Sequence, residues 1–591
     1  MRSFRLHSFR SIASCLVMGT FSIATFNGPS CNFFVLKAMA AQDDSLEGDA
    51  GQPDLDAAID AKLSSQNLED FDRVLELCKT AIKKGLPKDS KQFAEDLYTG
   101  TLVDRAGMVV EAIFDPPSPN EQWPRMRKYA LRDLDEAISR DPKLGEAHLM
   151  IAKLERLPGG DLQRAKKAVD SALELVANDN LQMAQAHVLR GDLEEDRESR
   201  QSDYDKAVEL APRDKDIRRS RGLFHLLGDE FEKAIADLGV AIEEDPKDAG
   251  LHEALGMAQL MLEKLDDAEK SFDRAVELEP DSSGPRLQRA RVLALRGESP
   301  KALADLEKAI QLEPNDAIPL VLRARIHQQA GDTDSAKQDL EQVLEKFPDH
   351  PAALELRGLI AADANDYASA IRDFQKLAAQ NLDDPLLAGQ LGMLYLAAKQ
   401  PREAIRRFSR AIELDDAQFA SRRGRSDALI SIGNHEEAIV DLEKALQLKP
   451  LDSGVLNNLS WLLSTSPDDA LRDGKRAIEL ATKACEQTEW KEAHIISTLA
   501  AGYAETGDFE EAKKYSAKAV EASDVKSEVQ KQLQNELTNY EAGKPWREKQ
   551  EMAESEDSES ATIPSDTKKS KPQPKPSSPD PDRKVRRPFD D

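Results

Sequence analysis

Prolines recur at Pro212, Pro246, Pro280, Pro314 and Pro348, one every thirty-four residues, and three more periods land on Pro450. A period of that length restricts the fold severely. Each copy is one supersecondary unit that cannot bury an apolar face alone, so neighbouring copies must stack into a continuous core. Alanine keeps the same interval at Ala234, Ala268, Ala302, Ala336, Ala370, Ala404 and Ala438. Four residues on stands Leu238, Phe272, Leu306, Leu340, Phe374, Phe408 or Leu442, and three further Ala241, Ala275, Ala309, Val343, Leu377, Ala411 or Ala445. Offsets of four and seven share one helical face, which the proline then closes because it lacks the amide of a further turn. Twelve positions before each alanine lies a small residue, Gly222, Gly256, Ala290, Ala324, Gly358, Gly392 or Ser426, and turn signals such as Gly331-Asp332 and Gly433-Asn434 intervene. Each period therefore reads as a helical hairpin.

These residues resemble the tetratricopeptide repeat (TPR): a small residue at position 8, Ala at 20, a large apolar residue at 24, a small one at 27 and Pro at 32. The stretch Gly256, Ala268, Phe272, Ala275, Pro280 is a near-complete copy, whereas Leu382 and Asp416 replace the proline and leave those helix ends open to doubt. The resemblance implies an all-α fold, a right-handed superhelical solenoid of stacked TPR hairpins. Regular units fall near 215–248, 249–282, 283–316, 317–350, 351–384, 385–418 and 419–452. Before them we place divergent TPR-like units over 125–214, an atypical helical cap over 55–124 and a disordered linker over 41–54. After them, 453–548 resembles the closing module and capping helix of exported bacterial TPR proteins, and 549–591, rich in Ser, Pro, Lys, Asp and Glu, reads as a disordered tail.

The chain begins with Arg2, Arg5 and Arg10, an apolar run from Ile12 to Phe26, and Ala38-Met39-Ala40. That is the layout of a signal peptide cleaved after Ala40, with export to the periplasm or envelope; an uncleaved anchor is the alternative. No later segment is apolar enough to span a membrane. Of four cysteines, Cys78 and Cys485 remain after cleavage, too far apart in a stack to bridge. With 81 Lys+Arg against 109 Asp+Glu, the formal charge is -28, a field that repels nucleic acid.

One charge pattern is written into the period. Position 7 is Arg190, Arg221, Arg289, Arg323, Arg357 or Arg425, and position 23 of the same units is Asp203, Asp237, Asp305, Asp339, Asp373 or Asp441. Units lacking the arginine also lack the aspartate, as Leu255 with Ser271 and Leu391 with Arg407. This co-occurrence predicts an Arg–Asp clasp between the two helices of one hairpin, with the charge consumed by structure instead of ligand.

The resemblance further implies a concave groove lined by positions 2, 5, 9 and 12 of the first helices. Carried onto this chain, those positions nominate Arg291, Arg325, Arg423, Met257, Met393, Asn457 and Trp461 as partner-binding residues. Arginines in the groove favour an acidic protein or peptide ligand. No zinc-type His pair, phosphate-cradling glycine loop or nucleophile elbow is present, and repeats, signal and tail occupy nearly every residue. The expectation is a non-catalytic scaffold or assembly factor with no cofactor and no metal. The alternatives are an accessory subunit of a secreted enzyme complex, or a tail-mediated binder of an anionic envelope surface.

Overall fold

The computed structural model describes residues 49–114, 122–523 and 528–548. The signal segment, the linker up to residue 48, the proline-rich loop at 115–119 and the tail after residue 548 lie outside the described residues. Among those described there is no strand, only twenty-seven α-helices and a 3-10 turn at Asp469–Leu471. None of these helices is long and apolar enough to cross a membrane. Contacts divide the chain after Ile326 into two compact units.

In the first unit, helices Lys215–Leu227, Ala249–Met261, Ser283–Leu295 and Ala317–Gln329 begin at the residues where the sequence period opens each repeat. In the second, Pro351–Asp363, Pro385–Ala397, Phe419–Ile432 and Ser453–Thr465 do the same. An aspartate just ahead of the helix fixes many of these starts: Asp248 Oδ1 accepts from the Leu251 amide at 3.1 Å and Asp452 Oδ1 from the Val455 amide at 3.0 Å. Each such cap is worth about 1 kcal/mol. The second helices, for example Leu265–Leu278 and Tyr367–Gln380, end two residues before position 32 whatever occupies it. Leu382 and Asp416 therefore cost no helix end: Tyr367–Gln380 and Pro401–Leu414 stop where their proline-bearing counterparts do. After Leu382 the next helix is capped by Asp384, which accepts from the amides of Leu386 and Leu387.

Small residues at position 8 answer the bulk at position 24. A Cβ on Gly256, Gly358 or Gly392 would sit 2.8, 2.8 or 2.6 Å from the ring of Phe272, Phe374 or Phe408. Ala290 and Ser426 stand where the opposing residue is the slimmer Leu306 or Leu442. Helices here approach to the limit that ring and backbone permit, the condition for a core built from Ala and Leu with few aromatics.

Two boundaries differ from the sequence reading. The linker placed over 41–54 is structured at its end, because a helix starts at Gln52 and the Gly51 amide donates to the Gly85 carbonyl at 2.9 Å. The cap placed over 55–124 is also less atypical than its sequence. Its long helix Lys88–Phe114 pairs with Trp123–Arg140 as a hairpin, and Arg105 donates from Nε and Nη2 to both oxygens of Asp133 at 2.7 and 2.8 Å. That is the predicted clasp in an unrecognised unit, hidden because its partners are twenty-eight residues apart. Cys78 and Cys485 are buried free thiols, one in each unit, and burial pushes both up to about 11.

Candidate binding face

Some first helices of neighbouring repeats touch one another, as Gly145–Glu155 does Asn180–Leu193 and Pro385–Ala397 does Phe419–Ile432; successive second helices make no comparable contact among the described residues. Each stack therefore curves with first helices inside, and their exposed stripes form the inner face.

The clasps hold the hairpins that carry this face. Arg289 donates from Nε to Asp305 Oδ2 at 2.7 Å and from Nη2 to Oδ1 at 2.6 Å. Arg221 with Asp237, Arg357 with Asp373 and Arg425 with Asp441 repeat the fork at 2.6 to 2.8 Å. In the shortened unit Arg190 bonds Asp203, joined by His187 at 2.9 Å. These aspartates are buried, and their hydrogen bonds raise the arginine pKa further above its ordinary value. Asp203 moves the other way: burial pushes it up, but the bonds from His187 and Arg190 prevail and lower it. Arg323 and Asp339 lie on opposite sides of the division after Ile326; Asp339 is buried and Arg323 partly so.

Sequence reasoning missed a third arm. Arg221 Nη1 reaches back to Asp205 at 2.8 Å, Arg289 Nη1 to Asp273 at 2.7 Å and Arg425 Nη1 to Ser409 at 2.8 Å, each in the preceding hairpin. One guanidinium thus ties its own hairpin and staples it to its neighbour, which the bidentate fork of arginine suits and lysine would not. Position 25 supplies that arm's acceptor, Asp205, Asp273 or Ser409, but sequence alone does not single it out, since Gln375 and Glu443 stand there ahead of Leu391 and Leu459. Where the clasp is missing, positions 11 and 23 meet instead. Ser271 donates to Gln259 at 2.7 Å, Arg407 lies over the Tyr395 ring at 5.8 Å, and Tyr515 stacks on Tyr503 at 5.5 Å.

On the inner face of the first unit, Met257 is only 4% exposed and packs in the core cluster with Leu251, Ala254 and Leu260, so its nomination as a partner residue is corrected. Arg219 is buried against Asp248 at 2.7 Å. Arg291 is partly buried, donates to Gln288 at 3.0 Å, and has its pKa lowered by burial against the opposing influence of Asp316. Arg325 is partly buried on the helix that follows. Burial, with Glu279 near, pushes the Glu253 carboxyl up to about 7, and Asp216 rises to about 6 for the same reason.

The inner face of the second unit has a different character. Leu359, Met393, Asp427 and Trp461 occupy position 9 of four successive first helices. Met393 is 55% and Leu359 39% exposed, and Leu386, about two turns before Met393, is 65% exposed. Arg423 is exposed and 3.7 Å from Asp452, while Asp427 accepts from Asn458 at 2.9 Å and is pushed up by burial. Asn457 donates to Asn458 at 3.2 Å, and its buried Oδ1 has no donor. Trp461 is not open to a partner as expected: its Nε1 donates to Glu548 Oε2 at 2.9 Å, so the chain's own C-terminal segment covers it.

Comparison with known proteins agrees with this geometry. A family model described as tetratricopeptide repeat matches residues 253–317, 321–385 and 390–453, and a second of the same description matches 498–525. No curated protein matches the sequence. Similar solved structures include a tetratricopeptide repeat protein from Parabacteroides merdae ATCC 43184, at 19% identity over 42% of this chain and 97% of that one, TM-score 0.32. Pseudomonas aeruginosa pilF matches at 22% identity over 37% and 98%, TM-score 0.33. YrrB, described as a TPR protein with an unusual peptide-binding site, matches at 21% identity over 32% and 97%, TM-score 0.29. Period, hairpin geometry and family models converge: the chain carries tetratricopeptide repeats over residues 253–317, 321–385, 390–453 and 498–525.

Proposed function

We propose that the chain is a non-catalytic scaffold that holds a protein or peptide partner against the inner face of its repeats, working outside the cytoplasm as an assembly factor of the cell envelope. The observation that carries the reading is the row of apolar side chains left exposed on that face, Leu359, Leu386 and Met393. Exposed methionine and leucine on a rigid helical surface suit an apolar partner segment, because flexible thioethers adapt to varied ligands. Arg291 and Arg325 supply the polar counterpart in the first unit and favour acidic groups on the partner. The export reading rests on the basic, apolar and Ala-Met-Ala segments ahead of Ala41.

Affinity capture from an envelope fraction tests both parts, with wild type beside Met393→Glu and Arg291→Ala/Arg325→Ala. Loss of the same partner in either variant supports binding through the inner face. Equal recovery in all three refutes it, and a chain recovered with its first forty residues intact in the cytoplasm refutes the location.

A further inference from the structure

The first helix Ser453–Thr465 ends differently from its regular counterparts. The last four carbonyls of any α-helix lack donors within the helix. After Ser283–Leu295 the tight turn serves three of them, the amides of Arg296, Glu298 and Gly297 bonding the carbonyls of Val292, Leu293 and Ala294 at 3.0, 2.8 and 3.1 Å. After Thr465 the connection is longer, and it serves two: Ser466 donates to Leu462 at 3.1 Å and Asp473 to Leu463 at 2.9 Å. The carbonyls of Ser464 and Thr465, one turn on from Trp461, receive no amide from this connection.

A strap of the same chain supplies the missing donors. Beyond the helix Glu528–Glu541, Gly543 turns the backbone with φ +67, and residues 544–548 run on without helical structure. The Glu548 amide donates to the Thr465 carbonyl at 3.0 Å, and Arg547 Nη1 donates to the Ser464 carbonyl at 3.1 Å. Arg547 Nη2 pairs with Glu505 Oε2 at 2.5 Å, a carboxylate that Arg472 holds from its other oxygen at 2.9 Å. Trp461 Nε1 donates to the Glu548 carboxylate at 2.9 Å. The two helices that form these walls, Ser453–Thr465 and Ala493–Glu505, are in contact. The seat thus reads an extended backbone amide, a cation at a helix C-terminus where the dipole favours positive charge, and a carboxylate one residue later. Trp546, just before them, packs beside Tyr540 of the last helix. The Arg547 side chain is 34% exposed. An end held by a few polar contacts within reach of water belongs to the least stable part of a fold.

We propose that Trp461, Ser464, Thr465 and Glu505 form a docking subsite for an extended segment of a partner protein that carries a cation followed by a carboxylate, and that residues 546–548 occupy it in cis until such a segment displaces them. The strap is the template for the partner: Glu505 fixes where the cation lies and Trp461 where the carboxylate follows. A tethered occupant competes at an effective concentration on the order of millimolar, so the subsite of the intact chain answers only to segments that bind better than its own. Its part in partner binding rests on the reading of the inner face as the binding surface.

The test uses a fluorescein-labelled, amidated peptide of residues 543–548 and full-length chains: wild type, a strap variant with Trp546→Ala, Arg547→Ala and Glu548→Ala, and that variant with Trp461→Phe. The last helix keeps its buried Leu533, Glu536 and Tyr540, so it is expected to stay docked, which circular dichroism verifies. The strap variant is expected to bind the peptide at least tenfold more tightly than wild type. Trp461→Phe, which keeps a ring and removes the Nε1 donor, should weaken that binding at least fivefold, as should a peptide with the arginine and glutamate exchanged. The milder Arg547→Ala/Glu548→Ala chain, with Trp546 retained, should gain at least threefold over wild type and gives the same reading if the triple variant loses its last helix. Equal affinity for wild type and both strap variants, no binding at all, or indifference to Trp461→Phe overturns the proposal and leaves the strap a fixed closing piece. Partner capture separates the two readings. Loss on Met393→Glu without peptide binding by the strap variants leaves the inner face and removes the subsite; capture indifferent to Met393→Glu and to Arg291→Ala/Arg325→Ala removes the inner-face reading, and with it the partner the subsite would serve.

Discussion

Replacing Asp305 by Ala removes the acceptor of two charge-assisted hydrogen bonds and leaves the Arg289 guanidinium beside a small cavity. Asp305 is 6% exposed and the Arg289 side chain 21%, so solvent compensates only in part. Breaking a buried ion pair from one side costs about 3–5 kcal/mol. Arg289 keeps its third arm to Asp273 at 2.7 Å, and that retained partner together with the partial exposure brings the expectation to about 2–3 kcal/mol. The chain contains its own control, because the preceding repeat holds Leu255 and Ser271 at the same two positions. Arg289→Leu/Asp305→Ser imports that pair, removes both charges together and is expected to stay within about 1 kcal/mol of wild type. Urea unfolding followed by circular dichroism, read as a cycle with the Arg289→Leu single variant, measures the coupling. Repeat arrays unfold by nearest-neighbour steps, so the midpoint of the affected segment is the quantity to compare. If the double variant is as unstable as Asp305→Ala, or Asp305→Ala is neutral, the clasp is not what holds the hairpin.

Three further outcomes are expected. Gly392→Ala puts a Cβ 2.6 Å from the Phe408 ring and should destabilise the second unit by about 1–3 kcal/mol in thermal melts, with Phe408→Leu in the same chain restoring most of it. Gly51→Ala drives a Cβ to 2.1 Å from the Ala81 carbonyl oxygen, so limited proteolysis should cut the first helix away faster than in wild type; an unchanged pattern would show that this end is not docked. Glu253, pushed up to about 7 in the folded chain from an ordinary 4.5, releases its proton first when unfolded, so it costs stability progressively as pH rises from 4.5 through 7. Glu253→Gln should therefore match wild type near pH 4 and exceed it by about 1–2 kcal/mol at pH 8, after discounting for solvent at the groove; a difference independent of pH refutes the assignment.

Repeat boundaries and clasps were legible because both depend on spacing that the period preserves. The arginine at position 7 and the aspartate at position 23 occur together in five of the seven regular units and are absent together from the other two, and that co-occurrence exposes the rule. The hairpin tied by Arg105 and Asp133 follows the same physics with longer helices and was invisible for that reason alone. Position 8 and position 24 were each read as part of a face, yet their pairing, Gly with Phe and mostly Ala or Ser with Leu, appears only when the ring is seen against the backbone. The inner face was least legible. Met257 and Met393 share position 9 and residue type, but one is buried in the core and the other lies open. Exposure at one position of a curved stack is decided by the bulk of residues one repeat away, which period alone does not encode.

That difference bears on what the array is for. A clasp that also staples the preceding hairpin sets the rotation from one repeat to the next, so Arg221, Arg289 and Arg425 act on the face without lying on it. The second unit breaks the rule at Leu391, where Gln375 instead donates to the Tyr395 hydroxyl at 2.7 Å. The repeat that presents Leu386 and Met393 has Leu391 in place of the clasp arginine. A neutral hydrogen bond constrains the angle between hairpins less than a three-armed guanidinium does, so the apolar stretch sits at a joint without an arginine tie. Installing Arg at 391 and Asp at 407 would be expected to stiffen that joint and to narrow the set of partner segments the face accepts, while leaving its exposed side chains unchanged. Hydrogen exchange at the Pro385–Ala397 helix reads the stiffening directly, and unaltered exchange with altered binding would separate the staple from the face.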